Sequence, residues 1–229
     1  MIGNRTKYSA INFIQSISLI SLCLACLSCE KEKIQQNDSS LFVVQGLVAL
    51  KDIDPTIRIE LKYSTQDNFT GEKIYPFHTC LLRKETAEKL KNANLEFAGY
   101  GYRIKVWDGY RPGYAQEILW SKVADARYVA DPRKGGSVHG KGGAVDLTLV
   151  DSSDKELEMP SLYDDFSSAA SPLRKDLTHS VASNLNVLVS VLIKHGFSQI
   201  SSEWWHFNDS DSRFYQRLEV DPRLWEGNH

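Results

Sequence analysis

An apolar, serine-punctuated run extends from Ile11 through Leu27 behind Arg5 and Lys7, and the chain turns sharply polar at Cys29-Glu-Lys-Glu-Lys33. A basic start, an apolar run and an abrupt polar switch have the order of a bacterial export signal. The run is also about as long as a short membrane span, so an uncleaved anchor is the competing reading. Further on, Phe42-Val-Val44 and Leu47-Val-Ala-Leu50 are short apolar runs and Ile57-Arg-Ile-Glu-Leu61 alternates. The latter two predict strands. Asp67-Asn-Phe-Thr-Gly71 is a turn, after which apolar positions 82, 87, 90 and 93 predict a helix over 82–98. A strand follows at Tyr102 to Trp107, then a turn through Asp108-Gly-Tyr-Arg-Pro112 and a helix from Tyr114 to Ala124. Asp146-Leu-Thr-Leu-Val150 alternates as a strand, and Ser183 to His195 reads as a helix stopped by Gly196. Two or three helices around a mixed or antiparallel sheet make the class α+β rather than doubly wound α/β.

These patterns divide the chain into a signal segment (1–28), a polar tether (29–40) and one domain (41–229). The last stretch is long enough for a single substantial core, with no internal repeat and no second linker. Ser28 supplies the small residue before Cys29 that lipoprotein processing favours, so Cys29 is the expected lipidation site; Cys26, after Ala25, is a second one. A lipid-modified cysteine carrying two or more acyl chains anchors stably. The expected location is therefore outside the cytoplasmic membrane, tethered to it and facing the periplasm or cell exterior.

Of the four cysteines, Cys23, Cys26 and Cys29 lie in the signal region and Cys80 stands alone between His78-Thr79 and Leu81-Leu82. This rules out an intramolecular disulfide or a cysteine-rich zinc module in the body, and makes Cys80 a small buried residue rather than a nucleophile. The formal charge is -2, and loss of Arg5 and Lys7 with the signal lowers it further, so nothing attracts a nucleic-acid backbone. Gly135-Gly136 and Gly142-Gly143 lack the pattern of a nucleotide loop. Oligomeric state is left open.

Chemistry concentrates in two segments, Ser137-Val-His139-Gly-Lys-Gly142-Gly-Ala-Val-Asp146 and Glu203-Trp-Trp-His206. Together they offer three metal ligands and one spare carboxylate, the inventory of a zinc hydrolase that keeps an open coordination position. Glycines around His139 let the backbone turn tightly and leave its imidazole pointing into a cleft. Asp146 opens a strand able to face back toward it. Glu203 and His206 share one side if their segment is a helical turn, but Trp204-Trp205-His206-Phe207 equally suits an extended chain. Taken singly, each has a plainer role: His139 and Asp146 as backbone caps, Glu203 as a solvated carboxylate.

From about Leu50 to Phe207 the chain resembles the D-alanyl-D-alanine dipeptidase family, the VanX-like zinc peptidases. The resemblance is carried by Leu61-Lys-Tyr-Ser-Thr-Gln-Asp-Asn-Phe-Thr-Gly71, Val106-Trp-Asp-Gly-Tyr-Arg-Pro112, the run at 137–146 and Glu203-Trp-Trp-His206. The last two are shared with related carboxypeptidases and endolysins; the first two narrow it to dipeptidases. The resemblance implies that His139, Asp146 and His206 hold one Zn2+ per chain. It implies that Glu203 is the catalytic carboxylate and that Arg111 stabilises the oxyanion. Asp164 corresponds to the carboxylate that receives the substrate ammonium and Ser137 to a group near the substrate carboxylate, while Tyr63, Asp67 and Asn68 belong to a loop near the cleft. In Met159-Pro-Ser-Leu-Tyr-Asp164, Pro160 replaces the family's glycine and Tyr163 its phenylalanine; a proline excludes positive φ, so this loop is expected to take a different course. The implied substrate is a small D,D-dipeptide. A D,D- or L,D-carboxypeptidase on peptidoglycan stem peptides is the runner-up, followed by a non-catalytic wall-peptide-binding lipoprotein and a structural zinc domain.

Overall fold

The computed structural model describes residues 41–227. The signal segment, the tether and Cys29 lie outside the described residues. In chain order the elements are β1 (Leu47–Ala49), α1 (Leu50–Ile53), β2 (Arg58–Ile59), β3 (Leu81–Arg83), α2 (Lys84–Ala98), β4 (Arg103–Asp108), α3 (Gly113–Lys122), β5 (Ala144–Val150), α4 (His179–Lys194), β6 (Phe197–Gln199) and β7 (His206–Asp209). β1 and β3 form an antiparallel pair, and the other five strands form one sheet in the order β2-β4-β5-β7-β6. Within it β2 runs parallel to β4 and the remaining pairs are antiparallel. The fold is α+β with a mixed sheet.

Side chains alternate between the two faces of a strand, and that alternation separates packing from chemistry here. Ile104 and Val106 of β4, Val145, Leu147 and Leu149 of β5 and Phe207 of β7 share a core with Ala87, Leu90, Ala93 and Phe97 of α2 and with Leu185, Leu188, Val191 and Leu192 of α4. The alternate positions, Asp146 and Thr148 on β5 and His206 on β7, point the other way and are buried as well. A bulge in β4 adds to this arrangement: Val106 pairs with Leu147 but Asp108 pairs with Asp146, so two β4 residues oppose one on β5. Asp146 in turn pairs with His206. Asp108, Asp146 and His206 therefore lie abreast across three neighbouring strands.

The helix expected from Leu82 begins at Lys84, because Leu81–Arg83 pairs with β1 and buries Leu81 and Leu82 as strand residues. Leu50, expected in a strand, opens α1. Helix α4 starts earlier than its apolar spacing suggests, at His179, where the Thr178 hydroxyl accepts from the Val181 amide at 3.3 Å. It ends before Gly196 as expected, with Gly196 at φ +86°. β6 was not foreseen; its Phe-Ser-Gln segment is too short to show a period. Cys80 is buried, and that burial, with the charge of Asp108, pushes its thiol up and away from reactivity. No helix among the described residues is long and apolar enough to cross a membrane.

The end of β7 is tied to α2 through Asp209, whose side chain is fully buried. Its carboxylate accepts from Thr86 Oγ1 at 2.7 Å, Lys89 Nζ at 2.5 Å, Tyr215 Oη at 3.0 Å and the Asp211 amide at 2.9 Å. Burial opposes the charge, but Lys89 and the other donors hold this carboxyl below its usual range. Its stabilising contribution is thus complete above the unfolded carboxylate pKa of about 3.9 and is lost as pH falls through the lower folded value. Asp209→Asn is expected to cost about 2 kcal/mol near neutral pH. Urea unfolding followed from pH 7 to pH 3 should show the gap from the parent closing as pH falls.

Candidate active site

The first half of the site is a tight turn. Ser137 opens a single 3-10 turn, Val138–Lys141, by accepting the His139 amide on its hydroxyl at 3.2 Å. Gly142 closes the turn at φ +70°, a conformation costly for any residue with a Cβ. His139 is thereby buried, and its Nδ1 donates to the carbonyl of Gly109 at 2.7 Å. A carbonyl only accepts, so the proton sits on Nδ1 and Nε2 presents a lone pair.

The second half comes from the sheet. His206 is the first residue of β7, so the Glu203–His206 segment is extended at its end and not a helical turn. The His206 Nε2 donates to Asn208 Oδ1 at 3.0 Å, two residues along the same strand face, and leaves Nδ1 as a lone pair. His139 Nε2 and His206 Nδ1 lie 3.2 Å apart. Asp146 Oδ1 is 3.3 Å from the first and 2.9 Å from the second.

Three acceptor atoms at that spacing repel one another unless a cation sits among them. A tetrahedral ion with ligand bonds of about 2.0 to 2.1 Å holds its donors about 3.3 Å apart, which this set matches. Each imidazole also has the outer hydrogen bond that orients a metal-binding histidine. His139, Asp146 and His206 thus fit a metal ion, and all three are buried. Burial works against the charged form of Asp146, yet His139 and His206 hold its carboxyl well below the usual range.

Glu203 stands beside this set, with its carboxylate 3.9 Å from His206 Nδ1. Burial raises its carboxyl above the ordinary value, partly offset by His206. Arg111 lines the same cleft, held by a network that reading the chain missed. Its Nε and Nη2 donate to Asp108 Oδ2 at 3.0 and 2.7 Å, and Nη1 donates to Gln116 Oε1 at 3.0 Å. Asp108 is anchored in turn by the Tyr75 hydroxyl at 2.8 Å, and Gln116 by the Ala130 carbonyl at 2.7 Å. These bonds use three of the five guanidinium N–H groups, while the guanidinium lies 5.3 Å over the Tyr63 ring.

His139, Asp146, His206, Glu203 and Arg111 line one cleft of about 270 Å³, together with Ser137, Tyr63 and Asp164. Asp164 has φ +57°, so the left-handed residue of its loop is the aspartate itself, a residue type that tolerates it, and not Pro160. Its loop reaches the cleft. The Tyr63 hydroxyl lies 3.2 and 3.3 Å from the two Asp164 oxygens, and burial, then the charge of Asp146, pushes the Asp164 carboxyl up to about 8. Asp67 and Asn68 are not brought into this cleft. Asp67 is exposed and paired with Lys62 Nζ at 2.5 Å. Asn68 builds its turn, with Nδ2 donating to the Thr65 and Glu72 carbonyls at 2.8 and 2.9 Å and Oδ1 accepting the Thr70 amide at 2.9 Å.

The sequence pattern of the D-ala-D-ala dipeptidase family matches residues 44–221. The chain belongs to the D-alanyl-D-alanine dipeptidase family. It is 36% identical over 172 residues to the D-alanyl-D-alanine dipeptidase of Escherichia coli strain K12, covering 75% of this chain and 89% of that one. It is 28% identical over 193 residues to the D-alanyl-D-alanine dipeptidase of Enterococcus faecalis, covering 74% and 94%. Among solved structures, the LdcB LD-carboxypeptidase aligns with TM-score 0.42 and 18% identity, over 76% of this chain and 73% of that one.

Two of the missed residues carried a signal. Asp108 belongs to the same Asp-Gly-Tyr-Arg-Pro motif as Arg111, and Asn208 follows His206 at strand spacing. Gly109 lies in that motif too, but the use of its carbonyl by His139 carried no signal, and neither did Gln116, because both roles arise from contacts across the fold. The His139 turn can be tested directly. A Cβ on Gly142 would fall 2.6 Å from Leu47 Cδ2 and 3.2 Å from the Arg83 amide nitrogen, whereas Gly71, at φ +67°, has nothing within 4 Å. Gly71→Ala is expected to cost about 1 kcal/mol, the backbone penalty alone. Gly142→Ala should cost at least about 1 kcal/mol more, as read from paired urea unfolding curves.

Proposed function

We propose that this protein hydrolyses the peptide bond of D-alanyl-D-alanine or a closely related small D,D-dipeptide, with one Zn2+ held by His139, Asp146 and His206. The observation that carries this is the close approach of two imidazole lone pairs and Asp146 Oδ1, beside Glu203 and in the cleft that Arg111 also lines, in a chain of the dipeptidase family. Bound there, zinc would act as a Lewis acid that acidifies water and polarises a carbonyl.

The remaining chemistry belongs to the protein. Glu203 takes a proton from the attacking water and delivers it to the leaving amine as the C–N bond breaks. Its partial burial makes it a better base than an exposed glutamate. Arg111, immobilised by Asp108 and Gln116, directs its remaining N–H groups toward the oxyanion without having to reorganise. Asp164, with Tyr63, receives the substrate ammonium, whose positive charge favours the ionised carboxylate that burial disfavours. Ser137 stands near the substrate carboxylate. A cleft of about 270 Å³ suits a dipeptide, and the neighbouring Phe69, Phe166 and Tyr128 rings, with centroids 4.9 and 5.0 Å apart, wall one side.

Purified protein offered the free dipeptide and a pentapeptide stem should release alanine from the former. Release from the pentapeptide with no dipeptide turnover would overturn the proposal in favour of a carboxypeptidase. Glu203→Ala should abolish turnover while retaining zinc; metal loss in that variant would make Glu203 a ligand. Arg111→Ala should lower kcat by about 10²- to 10³-fold.

We further propose that the domain works outside the cytoplasmic membrane, anchored through a lipid on Cys29, on dipeptides released or supplied there. The signal-like order of residues 1–33 supports this. Mass spectrometry of the native amino terminus should find a lipidated Cys29. An intact Met1 on a membrane-bound chain would indicate an uncleaved anchor, and an intact soluble chain in the cytoplasm would end the export reading.

A further inference from the structure

Asp146 turns only one carboxylate oxygen toward the imidazoles. Its Oδ1 faces His139 and His206, while Oδ2 accepts a hydrogen bond from the Tyr163 hydroxyl at 3.0 Å. Arg111 Nη2 is 3.9 Å from that oxygen, beyond hydrogen-bonding distance. Among the described residues, Tyr163 is thus the side chain that hydrogen-bonds Oδ2.

The tyrosine is itself held in place. Its ring lies 5.1 Å from Trp107, 5.5 Å from Trp205 and 6.3 Å from Tyr63, centroid to centroid. Trp204 of the Glu203–His206 segment donates its indole N–H to Ser161 Oγ at 3.1 Å, fastening the loop two residues before Tyr163. The left-handed backbone at Asp164 then sends the chain away. The hydroxyl therefore reaches Asp146 from a packed ring on a fastened loop.

We propose that Tyr163 is a positioning residue that locks the Asp146 carboxylate in a one-oxygen presentation, with Oδ1 offered to the metal and Oδ2 retained by the hydroxyl. The inference rests on the zinc reading of the site. A carboxylate without that bond can swing about its Cβ–Cγ bond or offer both oxygens, occupying the open position that hydrolysis needs. Hydrogen-bond partners of metal ligands typically contribute 10- to 100-fold in affinity.

Tyr163→Phe keeps the ring and removes the hydroxyl, so it separates the bond from the packing. Chelator competition should show zinc bound about 10- to 100-fold more weakly, and the cobalt-substituted variant should have an altered visible spectrum. At saturating zinc, kcat should fall with KM little changed. Trp107→Phe, which disturbs the same packing but leaves the hydroxyl, should bind zinc as the parent does. If the parent binds one zinc and Tyr163→Phe binds it equally well, the inference is wrong. It is also wrong if Trp107→Phe weakens zinc as much as Tyr163→Phe does. A parent that binds no zinc would instead sink the metal reading beneath it.

Discussion

The register that sets Asp108, Asp146 and His206 side by side is the constraint on which the rest of the site depends. Three neighbouring strands each contribute one polar residue to the same row, at the separation that backbone hydrogen bonding imposes. A slip of one residue in any of them would send its polar group into the apolar core and a core residue into the cleft. The apolar alternation of Val145, Leu147 and Leu149 against helices α2 and α4 prevents such a slip. Burial of one face thereby sets the chemistry of the other.

Charges taken out of water must be paired or hydrogen-bonded. Asp108 and Arg111 satisfy each other, with Tyr75 and Gln116 completing their partners. His139 and His206 give their outer protons to Gly109 and Asn208. Other buried groups of the site face the cleft. The inner imidazole nitrogens and Asp146 Oδ1 converge without a proton donor of their own, and Asp164 and Glu203 are carboxylates that burial pushes toward neutrality. An ion and a cationic substrate end are the species that such a surface accommodates.

The residues that the structure gathers in this cleft travel in short motifs whose spacing reflects local geometry, which is why they stand out in the chain. His139 and Asp146 flank a glycine turn, and Glu203 and His206 flank two tryptophans. Arg111 lies in a turn signalled by glycine and proline. The α+β class was equally legible, since α2, α4 and β5 carry clear periodicities. The edges were less so. Leu82 reads as helical by spacing but belongs to β3, because Val48 of β1, far back in the chain, supplies a strand partner that periodicity does not register. Asp67 and Asn68 lie in a family-matching loop, yet their hydrogen bonds close a turn outside the cleft.

The sequence by itself determined the inventory: two imidazoles, two acidic groups and an arginine in segments able to hold them, on a chain whose apolar periods build a sheet backed by helices. Those are properties of composition and of spacings under about ten residues, which local geometry controls. The tertiary structure decided which oxygen of Asp146 faces the histidines, that His206 stands in a strand, that Gly109 and Asn208 orient the imidazoles, and that Gln116 and Tyr163 serve the site. Each of these depends on a contact between segments distant along the chain or on strand pairing. Such contacts follow from how the apolar faces pack together, and no local spacing encodes them.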